Sequence, residues 1–568
     1  MATLPPTHFF YHISVDPTSH YYNVNLTVEI PDEIIFLRFP CWTPGSYVLR
    51  DFVTNIFNIT AYLENTQKVS FEQVDLTTWK VINHTKKFYF SYQVYAFENT
   101  VHTNFLDTEF GFIRPAGFFF YVEEYRHFPI YIKFSLNKNF KYIYSPLPAK
   151  KGIYKAQNFD ELYDSPFLLS NQKSQKFQIQ NCTHELVIEG DISTKTSKQL
   201  VEDLKTLTQY QLEAMQSSPN KYYLFILNLT TNKRGGLEHR ACSVNFFDGK
   251  SLSQLEEYKE LLGLLSHEYF HLWNVKRIRP IALDHIDYQK PLLIKELWIA
   301  EGFTSFYDSY FLLKCRLYSK DEYLQDILKT ISRLEDYEGE KYMSLEEASF
   351  TAWTKYYKQN PHSPNISISY YTKGAILALC MNIAILDKTN AKKELLDVLY
   401  YLYKNYFQNQ NRGFSKQEFF EAIYQSTKVD LYEEFESYIS QRIKIPVQEY
   451  LKKIGVNLNK SEKFTCLHFE TRTENKKEIV SKIYSHHLKD IDISLEDEIL
   501  AINDCRVEKA TMSKLAITIP EHSEIKILLS RRGKIKTVVY PADYTYKLGY
   551  ELDEEFIEKN PVAKKFFE

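Results

Sequence analysis

The chain has 568 residues, 44% of them apolar and 25% charged, with a net charge of -3. That length exceeds what a single hydrophobic core serves and implies roughly two to four domains. The near-neutral balance, without a basic stripe, excludes nucleic acid as a partner. The longest apolar run, about residues 375–386, is too short to span a bilayer and excludes a membrane-crossing role. Seven scattered cysteines without C-x-x-C spacing predict reduced thiols in a cytoplasmic protein. The N-terminus, Met1 to His8, lacks both the basic region and the apolar core of a signal peptide.

Residues 1–170 read as strands. Phe9–Val15, Tyr22–Ile30, Glu33–Arg38, Phe57–Leu63, Phe88–Phe97 and Phe118–Tyr125 are aromatic or β-branched, often alternating, with Pro, Asn, Asp or Gly between them. They predict an antiparallel β-sandwich. The turn-rich stretch Phe39–Phe52 interrupts it. Pro44-Gly45 suits a tight turn, and a local Arg50–Asp51 pair is the reading the residues favour.

Residues 171–455 become mixed and then mainly helical. Ser197–Ser217 has helical periodicity, and Tyr222–Leu229 and Ala241–Phe247 read as strands around the Gly-rich Arg234–Arg240. The decisive stretch is Ser266-His267-Glu268-Tyr269-Phe270-His271, an H-E-x-x-H pattern on a helix. Residues four apart share a helix face, so both imidazoles can address one point. Two neutral imidazoles at that spacing suit zinc, and Glu268 lies where a carboxylate can take a proton from an activated water. The apolar neighbours Leu261, Leu262, Leu264 and Leu265 describe a buried helix, on which unpartnered His and Glu side chains would be costly. A third ligand from a second helix would leave one position open. Glu301, in the apolar run Leu297–Tyr307, is the candidate; an acid favoured by a helix N-terminal turn is its ordinary alternative.

These motifs, H-E-Y-F-H-L-W-N-V-K-R-I-R-P followed by L-W-I-A-E-G-F-T-S-F-Y, resemble the M61 glycyl aminopeptidases, gluzincin zinc metallopeptidases. W-T-P-G-S-Y-V-L-R-D-F resembles the signature of their N-terminal domain. The resemblance implies a thermolysin-like, mainly helical catalytic domain with one zinc ion on His267, His271 and Glu301. It makes Glu238 the anchor of the substrate's free amine, with Gly235 and Gly236 shaping the edge strand. Tyr371, in Tyr371-Thr372-Lys373-Gly374, becomes the oxyanion donor, with Tyr370 the neighbour easily mistaken for it. His239, His285 and His362 lack ligand spacing and read as ordinary histidines. Lys276-Arg277-Ile278-Arg279-Pro280 reads as a cap for the end of the motif helix.

From residue 456 to 568 short strands return. Ser494–Val507 resembles the PDZ stretch G-D-E-I-x-x-I-N-G-x-x-V, although Glu496 and Asp504 stand where that pattern has glycine and no carboxylate-binding loop is visible. The expected whole is a multidomain α+β protein, divided at 1–170, 171–455 and 456–568: N-terminal antiparallel β-sandwich, catalytic domain, C-terminal PDZ-like domain. The PDZ-like part is the candidate surface for a docking partner or homo-oligomer. The expected activity is removal of N-terminal residues, glycine or small ones, from a peptide substrate. An endopeptidase of the same fold, or a peptide-binding scaffold with a vestigial zinc site, are the alternatives.

Overall fold

In the computed structural model the described residues are 8–136, 138–335, 338–484, 491–507 and 524–568. Residues 1–7, on which the signal-peptide reading rests, lie outside them. The chain forms two compact units. The first comprises residues 1–293, 307–318 and 402–414; the second comprises 294–306, 319–401 and 415–568.

The first unit opens with a seven-stranded sheet ordered Ala149–Lys150, Ile153–Ala156, Ile130–Ser135, His8–Asp16, Tyr21–Glu29, Lys87–Tyr95, Ile56–Tyr62. Strict alternation drives it. Tyr22, Val24, Leu26 and Val28 of one strand and Phe88, Phe90, Tyr92 and Val94 of its neighbour all point inward. A three-stranded sheet, Ile34–Arg38, Thr78–Ile82 and Phe71–Asp75, contributes Ile35, Leu37, Trp79 and Val81 to the same core. Two features depart from the expected antiparallel sandwich. His8–Asp16 runs parallel to Ile130–Ser135. Phe118–Tyr125 is not a strand: Phe118, Phe119, Phe120, Tyr121 and Val122 are all buried, and only Tyr121 forms a bridge, to Arg38. Aromatic enrichment there reflects burial on every side, not pairing.

A five-stranded sheet follows, ordered Gln175–Ile179, Cys182–Glu189, Tyr222–Thr230, Cys242–Asp248, Gly235–Glu238. Its three middle members are parallel. Helix Thr194–Ala214 makes the crossover between the first two of these. Gly235–Glu238 is the antiparallel edge strand, with Glu238 opposite Ser243. The helix Leu255–Phe270 packs on this edge.

In the second unit the helix Tyr370–Lys388 is buried almost all round, and helices Lys320–Glu335, Val447–Lys452 and Pro561–Phe567 pack against it. The C-terminal six-stranded sheet contains Phe469–Glu474, Lys477–Ile483, Glu498–Ile502, Glu524–Arg531 and Lys534–Pro541, with Cys505–Arg506 paired to Glu498–Ile502. Glu496 and Asp504 adopt φ of +67° and +63°. Both therefore take up the left-handed backbone that glycine would supply freely. Among the described residues no helix is long and apolar enough to cross a membrane.

Asp497 anchors this sheet. It is fully buried, accepts from the Arg531 Nε and Nη2 atoms at 2.8 Å each, and accepts from the Ser494 amide at 2.7 Å. Removing one partner of such a pair leaves the other uncompensated. Asp497→Ala is therefore expected to cost about 2–3 kcal/mol, less than a fully buried pair because Arg531 keeps some exposure. Hydrogen exchange should accelerate in Glu498–Ile502 and Glu524–Arg531 and stay unchanged in Tyr370–Lys388.

Candidate metal centre

The motif helix Leu255–Phe270 starts with Glu256 and Glu257, which suit the positive end of its dipole, and buries Leu261, Leu262, Leu265 and Tyr269. Tyr269 is held from below by His184, whose Nε2 lies 2.8 Å from its hydroxyl. The ring centroids of His267 and His271 are 4.6 Å apart. Each ring is fixed through Nδ1: His267 by Asp308 Oδ2 at 3.1 Å, His271 by the Asn274 carbonyl at 2.6 Å. A carbonyl can only accept, so His271 carries its proton on Nδ1 and presents the Nε2 lone pair. A carboxylate on the other ring selects the same tautomer. This is the outer support that metal-ligating histidines use. Asp308, on helix Thr304–Lys314, was not singled out in the sequence.

Glu268 is 5% exposed and lies across the edge strand. A Cβ at Gly236 would come within 2.5 Å of Glu268 Cγ and nearer still to its carboxylate, so only glycine leaves room there. Glu238, at the end of the same strand, is 4% exposed. The Pro44-Gly45 turn, with Gly45 at φ +89°, sits against it: a Cβ at Gly45 would meet Glu238 Oε1 at 2.5 Å. Thr43 bridges Ser46 across this turn, which forms the wall behind Glu238.

Lys276 does not act as a helix cap. It is buried, pairs with Asp164 at 3.1 Å and stands 3.8 Å from Glu238 Oε1. Burial works against its charge, but Asp164 and Glu238 hold the Lys276 pKa above its ordinary value. Asp164, despite being partly withdrawn from water, is held well below the usual carboxylate range by Lys276 and His239. His239 spends its Nδ1 on Asp164 at 3.2 Å and belongs to this pair. The capping role falls to Arg277, which donates to the Leu272 carbonyl at 2.6 Å.

Glu301 is 2% exposed and sits on a π-helical turn, Trp298–Phe303. Such turns concentrate at functional sites. Gly302 and Gly374 bring this turn onto the start of Tyr370–Lys388: a Cβ on Gly302 would meet Gly374 Cα at 2.5 Å. The two motifs E-G and Y-x-K-G thus touch through backbone. Tyr370 is fully buried, whereas Tyr371 keeps partial exposure. Burial, and after it the Glu301 carboxylate, raises the Tyr371 pKa well above the ordinary phenol value, so it stays a proton donor. Lys373, fully buried, pairs with Glu340 at 2.9 Å and donates to the Ile443 carbonyl at 2.8 Å, which pins this first turn.

Within the first unit, Glu238, Glu268 and His271 offer ligand atoms that all lie within 4.8 Å of one another. His267 and His271, with rings oriented through Nδ1, offer two imidazole nitrogens of the kind zinc takes.

Residues 260–377 match the M61 glycyl aminopeptidase family, and residues 10–171 match the Peptidase M61 N-terminal domain. Among solved structures, an aminopeptidase N family protein from Idiomarina loihiensis is 26% identical, with 99% of this chain and 100% of that chain covered and a TM-score of 0.91. An M1 zinc metallopeptidase from Deinococcus radiodurans is 12% identical over 78% of this chain and 95% of its own, with a TM-score of 0.47. No curated protein matches.

The contact between Gly236 and Glu268 can be tested apart from metal binding. Gly236→Ala should displace the Glu268 carboxylate and lower kcat by about 100-fold, the scale of a 1 Å misplacement. Metal content by atomic absorption should stay at the wild-type level.

Proposed function

We propose that this chain, which matches the M61 glycyl aminopeptidase family and its N-terminal domain, is a zinc aminopeptidase removing N-terminal residues from peptides, with one zinc ion held by His267, His271 and Glu301. The observation that carries the exopeptidase reading is the proximity of Glu238 to the reacting groups: its ligand oxygen lies within 4.8 Å of those of Glu268 and His271. In a peptide the terminal nitrogen is only about 2.5 Å from its own carbonyl carbon, two covalent bonds away. A carboxylate this close can hold the free amine of the residue being released, and the Gly45 wall behind it supports a chain end, not a continuing chain.

When bound, zinc polarises the scissile carbonyl and acidifies water. Glu238 pairs with the substrate α-ammonium and sets the register. Glu268 takes the proton of the attacking water and delivers it to the departing amine. Tyr371 donates its hydroxyl proton to the oxygen that gains charge, a contribution typically of about 3 kcal/mol. Small N-terminal residues, glycine first, are the proposed substrates; the name of the matched family supports this.

The finer architecture is also a proposal. A PDZ-like fold for residues 456–568 is supported by the left-handed backbone at Glu496 and Asp504, where the PDZ pattern has glycine. A reducing, cytoplasmic setting is supported by the free thiols of Cys41, Cys182, Cys242, Cys315, Cys380 and Cys505. The border proposed near 455 lies between helix Val447–Lys452 and strand Val456–Cys466, whereas the one proposed near 170 has strands on both sides, Phe167–Ser170 and Gln175–Ile179.

Hydrolysis of free-amine aminoacyl reporters tests the activity. Chelation should abolish cleavage and added zinc restore it. Glu268→Gln should lower kcat by about 100-fold or more while retaining metal. N-acetylation of the substrate should stop turnover; cleavage of acetylated peptides at an undiminished rate would make the protein an endopeptidase. Metal-loaded protein that binds peptides and cleaves none would leave only a scaffold.

A further inference from the structure

The proposed chemistry gives no task to the guanidinium of Arg240, which ends the Gly-rich edge, or to that of Arg279 in the basic run after the motif helix. Folding gathers both with Arg277 around one ring. Phe407, on the π-helical turn Tyr403–Gln408, has the guanidinium carbons of Arg240, Arg277 and Arg279 at 5.7, 5.9 and 5.9 Å from its centroid. Asn220 ties two of them together. Its Oδ1 accepts from Arg277 Nη2 at 2.7 Å, and its Nδ2 donates to the Arg240 carbonyl at 2.7 Å. All five residues belong to the first unit.

The three arginines and Asn220 line a cavity of about 770 Å³ that Glu238, Glu268, His267 and His271 do not line. That volume is in the range of small-molecule sites. Its charges do not balance. Asp160 pairs with Arg126, Asp164 with Lys276 at 3.1 Å and Asp284 with Arg279 at 2.6 Å. Arg240 and Arg277 remain, against Glu161, and among the described residues neither forms an ion pair with a carboxylate. Arg277 is only 4% exposed. Burial, and after it the Arg240 charge, lowers its pKa to about 10. Its partners, the Leu272 carbonyl and Asn220, are neutral and use two of its five donors. A buried cation without a counter-charge is costly, and the Phe407 ring offsets only part of that cost. An anion between the two guanidiniums would remove it.

We propose that this cavity binds a small organic oxyanion, a carboxylate or a phosphate ester, with its charged group between Arg240 and Arg277. Guanidinium forks match such oxygens two at a time. Leu147, Tyr163 and Ile286, which also line the cavity, receive the rest of the ligand. The site is separate from the proposed metal centre and does not depend on the aminopeptidase reading.

The test is calorimetric titration of the full-length protein with inorganic phosphate and, separately, with glutarate, at constant ionic strength in potassium chloride. Saturable binding of phosphate points to a phosphate ester, and saturable binding of glutarate to a carboxylate. Arg240→Gln should weaken that binding by about 10-fold or more, the scale of a hydrogen bond to a charged group. Lys198→Gln, which removes an exposed cation from helix Thr194–Ala214, should leave it unchanged. Saturable heat from neither anion at about 10 mM, ten times a dissociation constant of about 1 mM, overturns the proposal. Undiminished affinity in Arg240→Gln, or equal weakening in both variants, overturns it as well. If Arg240→Gln fails to fold, the unaltered protein supplies the second measurement. Phenylglyoxal should modify Arg240, and the bound anion should slow that modification, followed by mass spectrometry, about 10-fold at ten times its dissociation constant. An Arg240 that reacts at the same rate with and without the anion counts against the site.

Discussion

Three carboxylates withdrawn from water are the constraint that the catalytic region is built to satisfy. Glu238, Glu268 and Glu301 are 4%, 5% and 2% exposed. The ligand oxygens of Glu238 and Glu268 lie within 4.8 Å of each other, where two such charges repel by at least about 3 kcal/mol at an effective dielectric of about 20. Burial adds a cost to each one. Nearby cations offset such a cost. A divalent ion is one. Lys276, held by Asp164, is another.

The positions of these acids are set less by side-chain packing than by backbone contacts. Glu268 lies in space that any Cβ on Gly236 would take, and the Glu301 turn touches the Tyr371 helix through Gly302 and Gly374. Such contacts have little slack, because close-packed interiors do not absorb an extra methyl group without displacement. The second layer is equally fixed. Asp308 and the Asn274 carbonyl hold the imidazoles by Nδ1, and the Lys373–Glu340 pair holds the turn that carries Tyr371. Strictly local chemistry therefore depends on residues far from it in sequence.

That distance explains what could be read in advance. His267, Glu268 and His271 were legible because one helical turn contains the whole relation, and Glu301 followed from the need for a third ligand. Strand alternation in Tyr21–Glu29 and Lys87–Tyr95 is likewise local. Phe118–Tyr125 misled because burial on every side enriches the same aromatic residues that strand pairing does. Asp308 and Asp164 carried no local signal: an acid on a mixed helix and an acid after a short helix. Only the fold makes them neighbours. Lys276 was misread for a related reason. Its place just beyond the motif helix suggested a cap, whereas folding brings Asp164, 112 positions earlier, beside it.

The arrangement around Glu238, the proposed amine anchor, shows how a buried carboxylate can stay available to a ligand. A lysine hydrogen-bonded directly to the carboxylate would offset its charge but occupy the oxygen that the substrate ammonium needs. Here the Lys276 ammonium is committed to Asp164 at 3.1 Å and stays 3.8 Å from Glu238, too far for a hydrogen bond. Glu238 Oε1 is buried and accepts no hydrogen bond. The lysine thus contributes Coulombic support without competing for the lone pair. Asp164, shared with His239 and the Arg240 amide, prevents the lysine from moving closer. Recognition of the incoming amine then depends on direction as well as charge. An ammonium that delivers a proton along the vacant Oε1 lone pair gains a hydrogen bond the resident cation does not make, whereas a neutral amide at the same place offers a weaker donor and no charge. For the proposed aminopeptidase, selectivity for a free N-terminus would follow from how Lys276 is held back.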